Sequence, residues 1–306
     1  MRIVQILALM LGFSLLGMLL RARGYLRPSA AKRLNEIALT ITMPAGIFLS
    51  LHHFDIAREA LAAPALAAVL TLVLLGLCVL IAGALRLPAS VRTVFTLTVM
   101  FGNTAFIGFP VIRAVYGPDG LARAMLIDQL GCEPLAFTLG VFLATQGAAA
   151  TGLDWAVELR QLLRFPPLLT LATALLWHAL GLPKLPSPVE LLLQTVASAT
   201  VPLVMVALGL VLRFSSLRRY WRLSLLVAVL RLVVSPALMW IACRATGQQS
   251  FARDVAAVEV GMPSMMFMLL LSLRTGLDAE LCAALITATM AASLVTLPAL
   301  FAILSA

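Results

Sequence analysis

Asp128, Gln129, Glu133, Arg231 and Glu259 each sit inside an apolar stretch long enough to cross a bilayer. An ionised side chain at a helix centre costs about 2.5 to 3.5 kcal/mol on insertion scales, so such groups must face protein or water. Two kinds of chemistry are open to them. A carboxylate exposed to each side of a membrane in turn can carry a proton and couple transport to it. Alternatively, Glu133 or Glu259 neutralises Arg231 in an internal ion pair, which lets helices pack and does nothing more. Asp128 and Gln129 are candidates to line a polar path, and Asp128 is the first candidate for the proton carrier, because no basic residue in its own helix turn offers to pair with it. Arg123 lies five residues back and nearer the surface.

A different chemistry, recognition of an anion, is suggested by residues 101–110, FGNTAFIGFP. Gly102, Gly108 and Pro110 weaken helical pairing there, while Asn103 and Thr104 bring hydrogen-bonding side chains to a depth where lipid offers none. Gly261, Met262 and Pro263 form a second such place. Gly261 follows Gly102, Gly276 follows Gly117 and Asp278 follows Asp119 at one shared offset of 159 residues. A helix broken at mid-membrane presents a half-helix N-terminus whose unpaired N–H groups and partial positive charge bind a carboxylate without lysine or arginine. The candidate binding residues are therefore Gly102, Asn103, Thr104, Met262 and Pro263, and the candidate hinges are Gly108, Pro110, Gly261 and Pro263. One membrane proline alone would read as a simple kink; breaks at a fixed offset argue for function. Met265, Met266 and Met268 crowd after the second break, as adaptable packing or as lining for a partly hydrophobic substrate.

The elements that must position these residues follow from composition. With 306 residues, 62% hydrophobic and 11% charged, and a mean hydropathy of +1.06, the chain has too few polar residues to coat a soluble core. It reads as an all-α integral membrane protein. Runs of about the roughly 20 residues that cross a hydrocarbon core fall near 3–20, 34–51, 61–85, 91–115, 121–145, 165–181, 189–212, 223–243, 252–273 and 279–304. The first is expected to be retained, because Arg21, Arg23 and Arg27 follow it where a signal peptidase would want small residues. A connector at 147–164 separates a first half, 1–146, from a second, 165–306. Pro202 in span seven follows Pro44 in span two by 158 residues. Five spans per half place the second half upside down. The expected architecture is thus ten transmembrane helices as two inverted five-helix repeats, with spans four and nine broken.

The net charge of +9 would suggest nucleic acid in a soluble protein, but here the basic residues gather in short connections between apolar runs. Lipid headgroups and topology account for them, and no nucleic-acid partner is expected. Connections after odd-numbered spans carry fourteen lysines and arginines against seven on the other side. The positive-inside rule then puts both termini outside the cytoplasm, in a bacterial inner membrane. Cys78, Cys132, Cys243 and Cys282 lie within spans without framework spacing, so neither disulfide nor metal is implied. His52, His53 and Asp55 close span two beside Arg58 and Glu59, where interfacial polar residues are usual; no metal and no cofactor is expected. The chain has no HExxH, GxGD, GxSxG, aspartate-rich pair or P-loop, which argues against a membrane-embedded enzyme or an ATP-driven pump.

Gly102, Asn103, Thr104, Gly108, Phe109 and Pro110 in a fourth span, with a proline-centred break in the ninth, resemble the auxin efflux carrier family. That family includes plant PIN proteins and bacterial carriers proposed for malonate and related acids. The resemblance covers all ten spans, and its first-half motif is the more specific. It implies a fold like that of sodium/bile-acid symporters, in which spans four and nine unwind and cross. It also implies a still scaffold of spans one, two, six and seven, with spans three to five and eight to ten moving as an elevator. The expected activity is efflux or exchange of a small organic anion, auxin-like or a dicarboxylate, by a homodimer in the lipid bilayer. A non-transporting receptor with the same fold and a sodium-coupled symporter of the bile-acid type are the alternatives. The short connector carries over no regulation by a long phosphorylated loop.

Overall fold

The computed structural model describes residues 2–52, 61–147, 160, 163–164, 166–211 and 217–304. Among these residues the chain is helical, with no strand and a single isolated bridge between Gly102 and Ser264. The helices are α1 (Arg2–Ala22), α2 (Ala30–Leu51), α3 (Ala62–Ala84), α4 (Ala89–Met100), α5 (Thr104–Gly147), α6 (Pro166–Ala179), α7 (Ser187–Val211), α8 (Leu217–Ala245), α9 (Ser250–Val260), α10 (Phe267–Thr275) and α11 (Ala279–Leu304). Six of them, α2, α3, α5, α7, α8 and α11, are long and apolar enough to cross a bilayer, as a multi-pass membrane protein requires. By contrast α4, α9 and α10 hold 12, 11 and 9 residues. At 1.5 Å per residue they reach only about 14 to 18 Å. Span four of the sequence falls on α4 and the start of α5, and span nine falls on α9 and α10.

Two glycines mark where each broken stretch turns into the next helix. Gly117 interrupts α5 at φ 73°, ψ −166°, and Gly276 ends α10 at φ 77°. An L side chain is strained at such angles, so glycine is needed at both points. After the second of these turns, Asp278 Oδ1 accepts a hydrogen bond from the Leu281 N–H at 2.9 Å and so caps the start of α11.

Prolines shape the helices in a regular way. Wide π-turns at Ala38–Thr42, Thr104–Gly108, Asp128–Cys132 and Leu230–Val234 each end two residues before a proline, namely Pro44, Pro110, Pro134 and Pro236. A proline ring clashes with the carbonyl four residues back and leaves it without a donor. Widening the preceding turn relieves the clash while the helix continues. Two of these turns carry Asp128, Gln129 and Arg231, so the local chemistry of proline sets the direction in which those side chains leave their helices.

The chain forms two compact units, each drawing on both sequence halves. Unit 1 comprises Met1–Ala57, Ala105–Met125 and Leu163–Leu212; unit 2 comprises Arg58–Thr104, Leu126–Leu162 and Arg213–Ala306. In unit 1, α1 lies against the second half of α7 at Gly17 and Gly209. A Cβ on Gly209 would stand 2.9 Å from the Met18 nitrogen, so the two backbones approach as closely as small residues allow. Lipid supplies no hydrophobic drive between helices, and close packing of this kind takes its place. Also in unit 1, Thr200 Oγ1 donates to Thr42 Oγ1 at 2.9 Å across 158 residues. In unit 2, α8 packs on α9 and α11, while α3 lies along the Asp128–Cys132 turn, with Phe95, Leu97 and Met239 fully buried around them.

Most of the 147–164 connector lies outside the described residues, as do His53, Asp55, Arg58, Glu59 and the side chain of His52. Among the described residues, no group of histidine, cysteine and acidic side chains is arranged to hold a metal ion.

Candidate binding site at two paired helix breaks

All of the residues in this paragraph and the next two belong to unit 2. α4 ends at Met100 and the chain becomes extended at Phe101 (φ −110°, ψ 121°). α9 ends at Val260 and resumes as α10 only at Phe267. Between these ends the two non-helical stretches run antiparallel. The Asn103 N–H donates to the Pro263 carbonyl at 2.6 Å, and the Met265 N–H donates to the Phe101 carbonyl at 2.9 Å. Ser264 joins the pair to its surroundings: its N–H donates to Thr289 Oγ1 at 3.1 Å and its hydroxyl donates to the Thr98 carbonyl at 2.7 Å. The N–H groups of Asn103, Ser264 and Met265 are therefore already engaged within the protein.

Arg231 is the hub of the arrangement. Its Nε donates to the Met262 carbonyl at 2.9 Å, and its Nη1 donates to the carbonyls of Met100 at 3.0 Å and Val99 at 3.3 Å. These carbonyls stand at the C-terminal ends of α4 and α9, where a helix leaves acceptors unpaired and carries partial negative charge. The guanidinium thus caps two helices at once. It makes no direct ion pair with Glu133 or Glu259, although Glu259 lies within its electrostatic reach. Glu259 is fully buried with neither carboxylate oxygen hydrogen-bonded, and Glu133 keeps Oε1 buried without a partner. Gly102 is required beside Arg231, since a Cβ there would stand 2.7 Å from the guanidinium carbon.

Asn103 is 2% exposed, and neither its amide nitrogen nor its amide oxygen has a hydrogen-bond partner. Leaving such a group unsatisfied costs about 1 to 3 kcal/mol, which a ligand with both a donor and an acceptor would recover. Next to it, the Thr104 hydroxyl donates to Asp128 Oδ1 at 2.6 Å, and Gln129 Nε2 donates to Asp128 Oδ2 at 2.8 Å. Gln129 Oε1 is buried and unpartnered. Asp128, Glu133, Arg231 and Glu259 all lie within electrostatic reach of Cys132, so they form one cluster.

Residues 1–153 and 155–301 match the family model described as Membrane transport protein. The chain belongs to the membrane transport protein family. This is the family of the auxin efflux carriers, which the fourth-span motif resembles. An uncharacterized transporter of Methanocaldococcus jannaschii is 31% identical over 96% of this chain and 96% of its own length. An uncharacterized transporter of Methanothermobacter thermautotrophicus is 28% identical over 93% of this chain and 92% of its own.

In this membrane transport protein the remaining candidate residues have distinct places. Met262, Met265 and Met268 are buried, whereas Met266 is half-buried. Gly261 packs against Pro236, with a Cβ there 3.2 Å from the proline Cβ. Gly108 and Pro110 lie in unit 1, at the end of the Thr104–Gly108 turn and just after it. Sequence reasoning missed Ser264, Thr98 and Thr289, which stitch the breaks into the transporter. A lone serine between Met-Pro and Met-Met was the available signal for the first; nothing local marked the two threonines.

Proposed function

We propose that this transporter is a secondary carrier for a small organic anion, auxin-like or dicarboxylic, with Asn103 and Thr104 beside Met262 and Pro263 as its binding residues. The observation that carries the reading is the Asn103 amide, buried at a helix break with both polar atoms unpaired. A carboxylate accepts from such a nitrogen, and a hydroxyl or protonated carboxyl donates to the oxygen. Efflux or exchange is the direction we assign. An anion leaving a negative-inside cell gains about 2.3 kcal/mol per charge per 100 mV and needs no other driving force.

The wider frame of the proposal is ten spans in two inverted repeats, both termini outside the cytoplasm, elevator-type access and a homodimer in a bacterial inner membrane. Support for the repeats comes from the left-handed glycines at 117 and 276, and from the contact of Thr42 with Thr200 at the offset that relates Pro44 to Pro202. Uptake of labelled mono- and dicarboxylates into vesicles of purified protein tests the reading. The wild type should transport at least one, and Asn103→Ala should lose most of that activity while remaining inserted and folded. Unchanged affinity in Asn103→Ala would remove the breaks as the binding site.

One observation favours a proton-coupled form of the same carrier. Glu259 has no partner for either oxygen and stands two residues before the second break. A carboxyl group so placed can take up and release a proton as water reaches it.

A further inference from the structure

Unit 1 contains a cavity of about 290 Å³ lined by α2, the first segment of α5 and α7. Its one charged residue is Arg113, four residues before the Gly117 turn, and no hydrogen-bond or ion-pair partner engages its guanidinium among the described residues. Long basic side chains in membranes commonly run their charged ends toward water. Arg113 is half-buried. Its guanidinium lies against the backbone of α2 at Gly46, where a Cβ would stand 2.6 Å from Nη1. The charged end thus lines the cavity beside a glycine that leaves room for it.

The rest of the lining divides into an apolar part, Met43, Ile47, Phe109 and Val201, and a polar edge carrying Gln194 and Ser198. We infer that this cavity is a binding site for a small organic anion, with the carboxylate on Arg113 and an apolar body against Met43, Ile47 and Phe109. Charge and planarity argue for the carboxylate: a guanidinium presents parallel N–H donors that match its two oxygens. Size argues for a small ligand, because ligand cavities run from roughly 300 to 1,000 Å³ and this one falls just below that range. This site is distinct from Asn103 in residues and in compact unit, and it stands whether or not Asn103 binds substrate.

The test uses full-length protein in phosphatidylcholine nanodiscs, with Cys78, Cys132, Cys243 and Cys282 replaced by alanine and Ser198→Cys as a reporter on the cavity wall. Maleimide modification of the reporter is followed with benzoate, benzamide or inorganic phosphate present. Benzoate should slow modification, whereas benzamide, which has the same body without the charge, should not. Arg113→Gln should raise the benzoate concentration needed for protection by about ten- to a hundredfold, the loss expected for a charge-assisted pair. Asn103→Ala should leave protection unchanged, so failure of the transport reading shows separately. Equal protection by benzamide, or an unchanged benzoate requirement in Arg113→Gln, overturns the inference. So does protection that appears with phosphate or on adding anionic lipid but not with benzoate. If Arg113→Gln fails to insert, the comparison of benzoate with benzamide in the parent protein decides.

Discussion

The guanidinium of Arg231 occupies the space that a side chain at Gly102 would need: a Cβ at 102 would stand 2.7 Å from Arg231 Cζ. Three carbonyls, those of Val99, Met100 and Met262, hold the guanidinium there, so it has little freedom to retreat. Gly102→Ala should therefore destabilise the protein by about 1 to 3 kcal/mol, the usual range for forcing atoms into a packed site. Thermal unfolding in detergent measures it. An unchanged midpoint would mean that Arg231 is not fixed by those carbonyls.

Arg231→Gln should lower stability because it leaves buried helix-end carbonyls short of donors, at about 1 to 3 kcal/mol for each one abandoned. Adding Glu259→Gln should not repair the loss, since the acid is not what Arg231 holds. Recovery of folding in the double variant would instead restore the ion pair as the reason for both residues.

Asp128 is held by hydrogen bonds from Thr104 and Gln129, whereas Glu259 is held by none. The two acids should accordingly behave differently in vesicles. Asp128→Asn keeps an acceptor for Thr104 and should transport under a membrane potential with its pH dependence unchanged. Glu259→Gln should abolish uptake driven by a pH gradient and spare exchange of substrate for substrate. The opposite assignment, with Asp128→Asn losing gradient-driven uptake, would make Asp128 the coupling group.

Orientation is open to direct measurement with single cysteines in a background lacking the native four. Cysteines at positions 57 and 184 should react with an impermeant reagent added outside, and those at 29 and 217 should not. The reverse pattern would sink this topology and with it the assignment of loops.

Much of this transporter's course is written in short-range chemistry, and so could be read from the chain. Glycine and proline act on their own backbone, so residues 102 and 261–263 announced breaks that α4 and α9 obey; Gly117 and Gly276 were visible only as a matching pair, and their turns appear in the fold. The π-turns before Pro44, Pro110, Pro134 and Pro236 are equally local, although their width becomes visible only in the folded helix.

Partner choice was not local. Arg231 had two acids and several helix ends within plausible reach, and the carbonyls it caps lie 131 and 132 residues earlier and 31 later in sequence. Helix packing in unit 2 put the helix ends there, and a dipole end satisfies a guanidinium without the desolvation of a second charge. The same holds for the Thr104 hydroxyl on Asp128, 24 residues away, and for Ser264 on Thr98, 166 residues away. Composition and spacing determined that polar groups would meet in this membrane. Tertiary structure decided which of them are spent on holding the breaks together and which, Asn103 and Glu259 foremost, remain without partners.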